Sequence, residues 1–463
     1  MAILDANIVL IALPTISADL HASPFESVWI IMGYILINAS LLLTFGRLSD
    51  IFGRVKLYNI GFALFTAGSG LCSIAPNGIS LVVFRLVQGA GGALIFANAA
   101  ALLTDVFPTT ERGRALGLNQ VAGTFGSVLG LALGGILAGS FLGWRSIFWI
   151  NIPVGTFATA WAYFKLKETS QPRRGEKLDP VGNVLFAAGL SASLLGLMLG
   201  ALVGWSPLFL GFIFAGVSCV AAFAFVETRV KFPMMDLSLF RIRAFAAGMG
   251  ANLLASMARG GVSLVLVFYF QGVLLLDAFT AGLQLIPFSV AFVTFGPLSG
   301  YLSDRYGSRE FATAGVLLVS AALFWFGLFP FQNFYQWIGP MLLAGAGAGM
   351  FVAPNIASIM NATPTPRRGV ASGMSSTLIN AGFLLSLGIS FVVMATSVPT
   401  VVLQSIFSGS SVPIPPLEKQ SFVGSLHGLF ILMGFISLFS AIPASMTKKP
   451  KSKYDISQST QPD

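Results

Sequence analysis

Charged side chains are scarce in this chain. Only 9% of its 463 residues are Asp, Glu, Lys or Arg, whereas 55% are hydrophobic, and an ordinary soluble domain has roughly 25% charged residues. A soluble protein this poor in charge would cover its surface with apolar side chains and would aggregate. The scarcity therefore excludes a soluble enzyme and a disordered chain, and it indicates a helical protein that crosses a membrane many times.

Residues for metal and nucleotide chemistry are scarce as well. The chain has two histidines and two cysteines, and Cys72 and Cys219 form no CxxC pair. It contains no Walker A motif (GxxxxGK[ST]), no HExxH and no GxSxG. We therefore expect that this protein is neither an enzyme nor an ATP-driven pump. We also predict that it binds no cofactor, no metal and no nucleic acid.

Long apolar runs are abundant instead. A membrane helix needs about 20 apolar residues to cross a hydrocarbon layer of roughly 30 Å. The runs predict an all-α polytopic membrane protein with fourteen transmembrane helices. The predicted spans are 1–20, 27–45, 58–75, 80–104, 114–138, 145–165, 180–200, 207–227, 245–270, 279–299, 312–330, 335–360, 370–396 and 424–446.

Basic residues fall mainly on one side of these spans. If residue 1 lies inside, most of the 26 Lys and Arg residues occupy the inner connections or the Lys-rich end of the chain. Cytoplasmic loops carry an excess of Lys and Arg. The distribution therefore predicts a multi-pass protein of the cell membrane (plasma or inner) with both termini in the cytoplasm.

The chain also contains an internal duplication. GRLSDIFG recurs as GYLSDRYG, PTTERGRALG recurs as PTPRRGVASG, and a glycine-rich run recurs in a similar register. Such repeats are typical of secondary transporters, in which the substrate path lies between the two halves. The matched pairs are 46–53 with 300–307, 108–117 with 364–373, and 89–93 with 345–349.

The duplication predicts the domain organisation. We expect two pseudo-symmetric six-helix bundles, an inserted helix pair with its cytoplasmic linker, and a disordered basic tail. The predicted boundaries are 1–166 and 229–447 for the bundles, 167–228 for the inserted pair and 448–463 for the tail. The expected partners are a small-molecule substrate, protons and the lipid bilayer, and we expect a functional monomer.

Two residues of opposite charge stand inside predicted spans, Asp5 in the first and Arg85 in the fourth. A permanent cation in a span is costly and should face a cavity or a partner. Burial raises the pKa of an acid and a nearby cation lowers it, so we predict that Asp5, tuned by a nearby Arg85, binds and releases a proton during transport. A purely structural ion pair is the alternative. Because only four residues precede Asp5, we expect an upstream native start or a short first helix.

The loop GRLSDIFGRVK at 46–56 predicts a conformational latch. Glycine permits a tight turn between two spans, and the acid can pair with the arginine four residues later or lie near a helix N-terminus. A solvated basic turn that only orients the protein is the alternative. With the second copy, the predicted latch residues are Gly46, Asp50, Gly53, Arg54, Asp304 and Arg305.

Glycines and polar residues mark two further features of the spans. Gly126, Gly130, Gly134 and Gly135 form a stripe of small residues that allows close helix packing. Polar side chains within spans are candidates for a substrate cavity, although hydrogen bonds between helices are their more common use. Arg259 among them can attract an anionic group or pair with an acid. The candidates are Tyr34, Asn38, Gln88, Asn119, Arg259, Gln271 and Asn355.

The motif GRLSDIFGRVK, the run RLVQGAGGA at 85–93 and the glycine stripe resemble the signature motifs of the major facilitator superfamily. LDANIVLIALP at 4–14 and WRSIFWINIPVG at 144–155 resemble its fourteen-helix drug/proton antiporter branch. The resemblance implies a transporter that works by alternating access, with Asp5 and Arg85 in proton coupling and Asp50, Gly53 and Arg54 in the latch.

This chain departs from the branch pattern at two positions. Leu131 stands where the glycine stripe usually carries proline, and Asn7 stands where the first-helix motif usually carries threonine. We expect proton-coupled efflux of small amphipathic compounds or drugs. The alternative is a facilitator or proton symporter that imports a nutrient or metabolite.

Overall fold

The computed structural model describes residues 1–106, 112–168, 179–230, 233–329, 333–364, 367–399, 402–403 and 415–447. Within these ranges the chain is α-helical apart from short 3₁₀ and π segments, and it contains no β-strand. The tail predicted at 448–463 lies outside the described residues. The all-α fold is therefore confirmed for the part of the chain that the structure describes.

The helices are numbered in chain order. They are α1 (Ala2–Asp19), α2 (Pro24–Phe52), α3 (Arg54–Ser73), α4 (Gly78–Val106), α5 (Arg112–Ala138), α6 (Ser146–Trp149), α7 (Asn151–Lys165), α8 (Pro180–Val203), α9 (Pro207–Glu227), α10 (Arg243–Arg259), α11 (Val262–Phe268), α12 (Ala278–Tyr306), α13 (Ser308–Leu328), α14 (Phe334–Ala362), α15 (Arg368–Ser397) and α16 (Pro416–Ser445).

Eleven helical segments among the described residues are long and apolar enough to cross a membrane. The other predicted spans coincide with α3, α5 and the pair α6–α7, which do not meet that criterion of length and hydropathy. The chain is a multi-pass membrane protein, and the count of fourteen spans stays a prediction.

Several helices extend beyond the apolar runs that predict them. The second span is predicted at 27–45, but α2 continues to Phe52 and includes Arg47 and Asp50. At about 1.5 Å per residue its 29 residues exceed the roughly 30 Å hydrocarbon layer. Gly46 is consequently a residue of the helix, and the predicted turn is formed by Gly53 alone.

In each half, one long helix packs closely against two others. In the first half α4 contacts α2 and α3, and α1 packs on α5. In the second half α14 contacts α12 and α13, and α16 contacts α13 and α10. The pseudo-symmetry of the two halves stays a prediction, but one local feature repeats: the turns at Gly53 and Gly307 have φ angles of 104° and 102°.

Helices α8 and α9, which the sequence predicts to be an inserted pair, pack on each other, and α8 also contacts α2 of the first half and α15 of the second. Helix α9 is apolar on all sides and leaves large side chains such as Leu208, Phe214 and Val217 more than half exposed. A helix of this composition with so little buried surface is suited to lipid contact.

The two halves meet through two sets of helices. The first set consists of α1 and α5 against α12, and the second consists of α2 against α15. Gln271 Nε2 donates a hydrogen bond to the carbonyl oxygen of Ile11 at 2.8 Å, and Asn380 Nδ2 donates one to Asn38 Oδ1 at 3.3 Å. Between these contacts lies the central cavity described below.

Candidate functional site

Asp5 and Arg85 form a buried ion pair. Arg85 Nη1 lies 2.6 Å from Asp5 Oδ2, and each side chain is 1% exposed. The guanidinium also donates through Nε to the carbonyl oxygen of Ile30 at 3.1 Å, and it lies 4.2 Å above the ring of Tyr34. A buried cation needs such partners because the membrane interior solvates charge poorly.

Neutral donors surround the same carboxylate. Gln88 Nε2 and Asn151 Nδ2 both donate to Asp5 Oδ1, at 3.0 and 2.6 Å. Gln88 Nε2 also donates to Ser69 Oγ at 2.6 Å, while Gln88 Oε1 accepts from Arg85 Nη1 at 2.6 Å. We call Asp5, Arg85, Gln88, Asn151 and Ser69 the Asp5–Arg85 cluster. It joins α1, α3, α4 and α7 through one charged, water-excluded network.

Asn151 and Ser69 are the members of the cluster that sequence reasoning did not assign. Asn151 lies in the motif WRSIFWINIPVG, which carried a family resemblance but no role. It is the first residue of α7, directly after the junction with α6 at Ile150. The signal that could have found it is an amide inside an apolar span, where an unpaired polar group is costly.

A central cavity of about 340 Å³ lies between the two halves. The first half contributes α1 and α5, and the second half contributes α10 to α15. Among the described residues that line it, Arg259 is the one charged side chain, and most of the others are apolar or aromatic. The volume falls within the range of ligand pockets, which is roughly 300–1,000 Å³.

Of the seven cavity candidates, only Arg259 lines this cavity. Tyr34 and Gln88 contact Arg85, and Asn38 accepts from Asn380 between α2 and α15. Gln88 and Asn38 thus bond to other helices, whereas the Tyr34 hydroxyl has no hydrogen-bond partner among the described residues. A role for these three residues in binding substrate stays a prediction. The remaining three also lie outside the lining: Gln271 donates to Ile11, Asn355 donates to Gly248 and Asn252, and Asn119 is exposed on α5.

Helix α1 connects the Asp5–Arg85 cluster to the cavity. Asp5 points to α4 and α7, whereas Ile3, Asn7 and Leu10 line the cavity. At about 100° per residue these three positions lie on the opposite face of the helix from Asp5. The acid is therefore adjacent to Arg85, as predicted, but it does not open into the cavity.

The glycine stripe brings α5 close to α1 of the first half and to α12 of the second half. An added Cβ would lie 2.6 Å from the carbonyl oxygen of Leu4 at Gly130 and 2.9 Å from that of Ile8 at Gly134. At Gly126 the nearest atom is Leu4 Cβ at 3.7 Å, which is an ordinary contact. Gly135 instead faces the backbone of Phe279 on α12. The stripe thus packs α5 against α1 and, at its last residue, against the second half.

The latch motif contains the expected ion pair. Arg54 Nη2 lies 2.8 Å from Asp50 Oδ1, and both side chains are partly exposed. The carboxylate of Glu168, after α7, accepts from the backbone N–H groups of Arg54 and Val55 at 3.1 and 3.0 Å. Glu168 therefore caps the N-terminus of α3, where backbone N–H groups attract negative charge.

The second copy of the motif is only partly described. The guanidinium of Arg305 lies 5.1 Å from the centroid of the Tyr301 ring. Asp304 belongs to α12, but its side chain lies outside the described part of the structure. Gly46 has no atom within 4 Å of an added Cβ, so its packing requires no glycine.

Comparisons with known proteins agree with this architecture. The chain is 31% identical to the riboflavin transporter RibZ of Clostridioides difficile (strain 630), over 83% of both chains. It is 31% identical to the multidrug resistance protein Stp of Mycobacterium tuberculosis (strain CDC 1551 / Oshkosh), over 81% of this chain and 70% of that protein. A POT family peptide transporter in an auto-inhibited state has the same fold, with a TM-score of 0.65, 17% identity and coverage of 98% and 97%.

The family model of the Major Facilitator Superfamily matches residues 1–250 and again residues 248–461. Members of this family move small molecules across membranes and are not enzymes. The matches extend over nearly the whole chain, including the helices that form the Asp5–Arg85 cluster and the central cavity. This multi-pass chain therefore belongs to the Major Facilitator Superfamily and is a membrane transporter.

Proposed function

We propose that this transporter exports small amphipathic compounds or drugs in exchange for protons, by alternating access. The observation that carries the proposal is the placement of Asp5. Its carboxylate is buried against Arg85 on one face of α1, and the opposite face of α1 lines the central cavity. A proton that binds this acid would change the charge of a network next to the substrate path.

Protonation of Asp5 removes the counter-charge of Arg85. Arg85 would keep the Ile30 carbonyl oxygen, Gln88 Oε1 and the ring of Tyr34 as neutral partners. An unpaired charge in a low-dielectric interior costs several kcal/mol. The cluster is therefore expected to rearrange when the proton arrives, and its rearrangement moves the contacts of α1 with α4 and α7.

A movement of α1 reaches the cavity directly. The backbone of α1 packs on the glycine stripe of α5 at Leu4 and Ile8, and Asn7 faces the cavity. Contacts between the halves also involve α1, through the Ile11 carbonyl oxygen and Gln271. These contacts support a mechanism in which one helix carries the change from the proton site to the cavity wall.

The proton gradient supplies sufficient energy for export. One charge moved through the membrane potential contributes about 2.3 kcal/mol per 100 mV, and each pH unit contributes about 1.4 kcal/mol. One proton at about 100 mV and one pH unit could thus sustain a substrate gradient of several hundred-fold. This direction assumes cytoplasmic termini, a proposal supported by the distribution of the 26 Lys and Arg residues.

Reconstituted vesicles test the coupling. The purified protein is inserted into liposomes, a pH difference is imposed, and uptake is measured for a panel of fluorescent dyes and antibiotics. We expect wild-type protein to accumulate at least one compound against its gradient. Asp5→Asn should abolish accumulation but keep solute exchange without a pH difference. The matched control Asp277→Asn alters an exposed N-cap acid of α12 and should accumulate the compound as the wild type does.

The outcome is decisive for Asp5. If Asp5→Asn accumulates the compound as wild type does, Asp5 is not the coupling acid and the proposal is wrong. Insertion is checked by size-exclusion chromatography, so that loss of folded protein is not read as loss of coupling. Loss of both accumulation and exchange in folded Asp5→Asn would also contradict the proposal, because a coupling residue is dispensable for exchange.

Import of a metabolite is the second candidate function. It is favoured by Leu131, which lines the cavity at the position where the antiporter pattern has proline, and by the similarity to a riboflavin transporter. Vesicles with the protein inserted in known orientation separate the two functions. Antiport predicts accumulation when the vesicle interior is more acidic than the exterior, whereas proton symport predicts accumulation when the exterior is more acidic.

A further inference from the structure

The guanidinium of Arg259 differs in its bonding from that of Arg85, the other arginine inside a predicted span. Arg259 is the last residue of α10 and is partly exposed where it lines the central cavity. Within the described ranges, no hydrogen bond, ion pair or aromatic ring contact engages its side chain. Arg85, by contrast, binds a carboxylate, an amide oxygen, a carbonyl oxygen and a ring.

The described residues of the cavity wall provide no counter-charge for Arg259. No carboxylate occurs among the described residues that line it, and the carboxylate of Asp5 is committed to Arg85, Gln88 and Asn151. A guanidinium in a mostly apolar cavity gains strongly from a charge-assisted bond to an anion. The site is therefore electrostatically incomplete until an anion enters.

A second polar group points to the same ligand chemistry. Ser256 precedes Arg259 by about one helical turn on α10, lines the same cavity and is 2% exposed. Its Oγ has no hydrogen-bond partner among the described residues, as is also true of Ser17 and Ser40, whereas the buried serines Ser320 and Ser437 donate to backbone carbonyl oxygens. Buried hydroxyl groups are normally bonded, so a free hydroxyl beside a free guanidinium is consistent with a missing oxygen-rich ligand group.

The remaining walls are suited to an apolar ligand body. Phe288 and Phe292 on α12, Phe326 on α13 and Phe383 on α15 line the cavity together with aliphatic side chains. Aromatic side chains bind aromatic ligands through stacked or edge-to-face contacts. One charged group at one position of a mostly apolar cavity orients a ligand that has one charged end.

We infer that the central cavity binds amphipathic organic anions, with the carboxylate, sulfonate or phosphate of the ligand on Arg259 and its aromatic or aliphatic body against the phenylalanines. The inference rests on the proposed transport function and names its substrate class. Arg259 is the residue that selects for charge, because the neutral and cationic analogues of such a ligand bring no counter-charge to the guanidinium. Lipophilic cations are disfavoured in this cavity by the same charge.

Three naphthalene probes of nearly equal size test the charge preference. Binding of 2-naphthoate, 2-naphthamide and 2-naphthylmethylammonium is measured by calorimetry on purified protein in an uncharged detergent, with no proton gradient. We expect wild-type protein to bind 2-naphthoate roughly tenfold or more tightly than 2-naphthamide, and the ammonium probe least well.

Substitutions assign the preference to Arg259. Arg259→Gln removes no hydrogen bond or ion pair among the described residues, and the variant should bind 2-naphthoate and 2-naphthamide equally, with 2-naphthamide affinity near that of wild type. Arg259→Lys keeps the charge but not the planar donor pair and should retain an intermediate preference. Arg309→Gln, which removes the same charge from an exposed position on α13, should behave as wild type.

Other outcomes would overturn the inference. These are equal affinity of wild-type protein for naphthoate and naphthamide, no naphthoate binding, a preference for the ammonium probe, or equal weakening of all probes in Arg259→Gln. Because binding is measured at equilibrium without a gradient, the result is independent of proton coupling. A protein that prefers anions but fails to accumulate solute would contradict the proposed function and leave the binding inference standing.

Discussion

Gly130→Ala is a sharp test of the contact between α1 and α5. An added Cβ at Gly130 would lie 2.6 Å from the carbonyl oxygen of Leu4 and 3.0 Å from Asn7 Cβ. An ordinary contact is about 3.4 Å or longer, so α1 must move away by a large fraction of an ångström or the backbone must bend. Overpacking of this kind costs about 1–3 kcal/mol.

Gly126→Ala provides the matched control. It lies on the same helix and faces the same neighbour, but its Cβ would lie 3.7 Å from Leu4 Cβ. Both variants share the gain in helix propensity of alanine over glycine, about 1 kcal/mol. The difference between them therefore isolates the clash, and we expect Gly130→Ala to be less stable than Gly126→Ala by about 1–3 kcal/mol.

Unfolding of the purified protein in detergent, followed by tryptophan fluorescence, measures this difference. Gly46→Ala serves as a second control, since nothing lies within 4 Å of its added Cβ inside α2. Equal stability of Gly130→Ala and Gly126→Ala would refute the close approach of α1 to α5. It would also remove the packing argument by which a movement of α1 reaches the cavity wall.

Two further predictions concern the charged clusters. Asp5→Asn and Arg85→Gln should each lower the free energy of unfolding by about 3–5 kcal/mol, because each leaves a buried partner uncompensated. The double variant should lose clearly less than the sum of the two single losses. Additive losses in the unfolding measurement would show that the two side chains are not coupled. Glu168→Ala should lower the free energy of unfolding by about 1 kcal/mol, because the N-terminus of α3 loses its cap. Glu168→Gln keeps an acceptor oxygen and should lower it by less. Identical melting temperatures for the two variants would contradict the capping role.

The structure changes the meaning of several residues that the sequence singles out. Asn38, Gln271 and Asn355 are polar residues in apolar spans, and they serve hydrogen bonds between helices rather than the cavity. A sequence pattern shows that a polar residue is embedded, but a rotation of its helix by half a turn decides whether it meets a neighbour or an opening. That rotation depends on packing against other helices and is invisible to local hydropathy.

The length of helices was underestimated for a related reason. Apolar runs end at the first charged residue, as at Arg47 in the second span, but the helix continues to Phe52. Backbone hydrogen bonding does not require an apolar side chain, so a helix can leave the hydrocarbon layer without ending. The left-handed conformation of Gly53, with φ of 104°, ends α2 instead.

Composition and local motifs by themselves determined the class of this protein. Hydropathy and the excess of basic residues are sums over neighbouring positions, so they identify a polytopic membrane protein from one chain. The embedded Asp5 and Arg85 were recognisable for the same reason, since a charge in an apolar run is conspicuous wherever the chain later carries it.

Only the tertiary structure decided which of these groups act together. Asp5 meets Arg85 and Asn151 across large separations in sequence. Arg259 has no hydrogen-bond or ion-pair partner among the described residues, and it faces a cavity built from both halves. The physical reason is that charge pairing and its absence depend on distances of a few ångströms between helices. Those distances are set by small residues such as Gly130 and by the packing of the whole bundle, and not by any single segment.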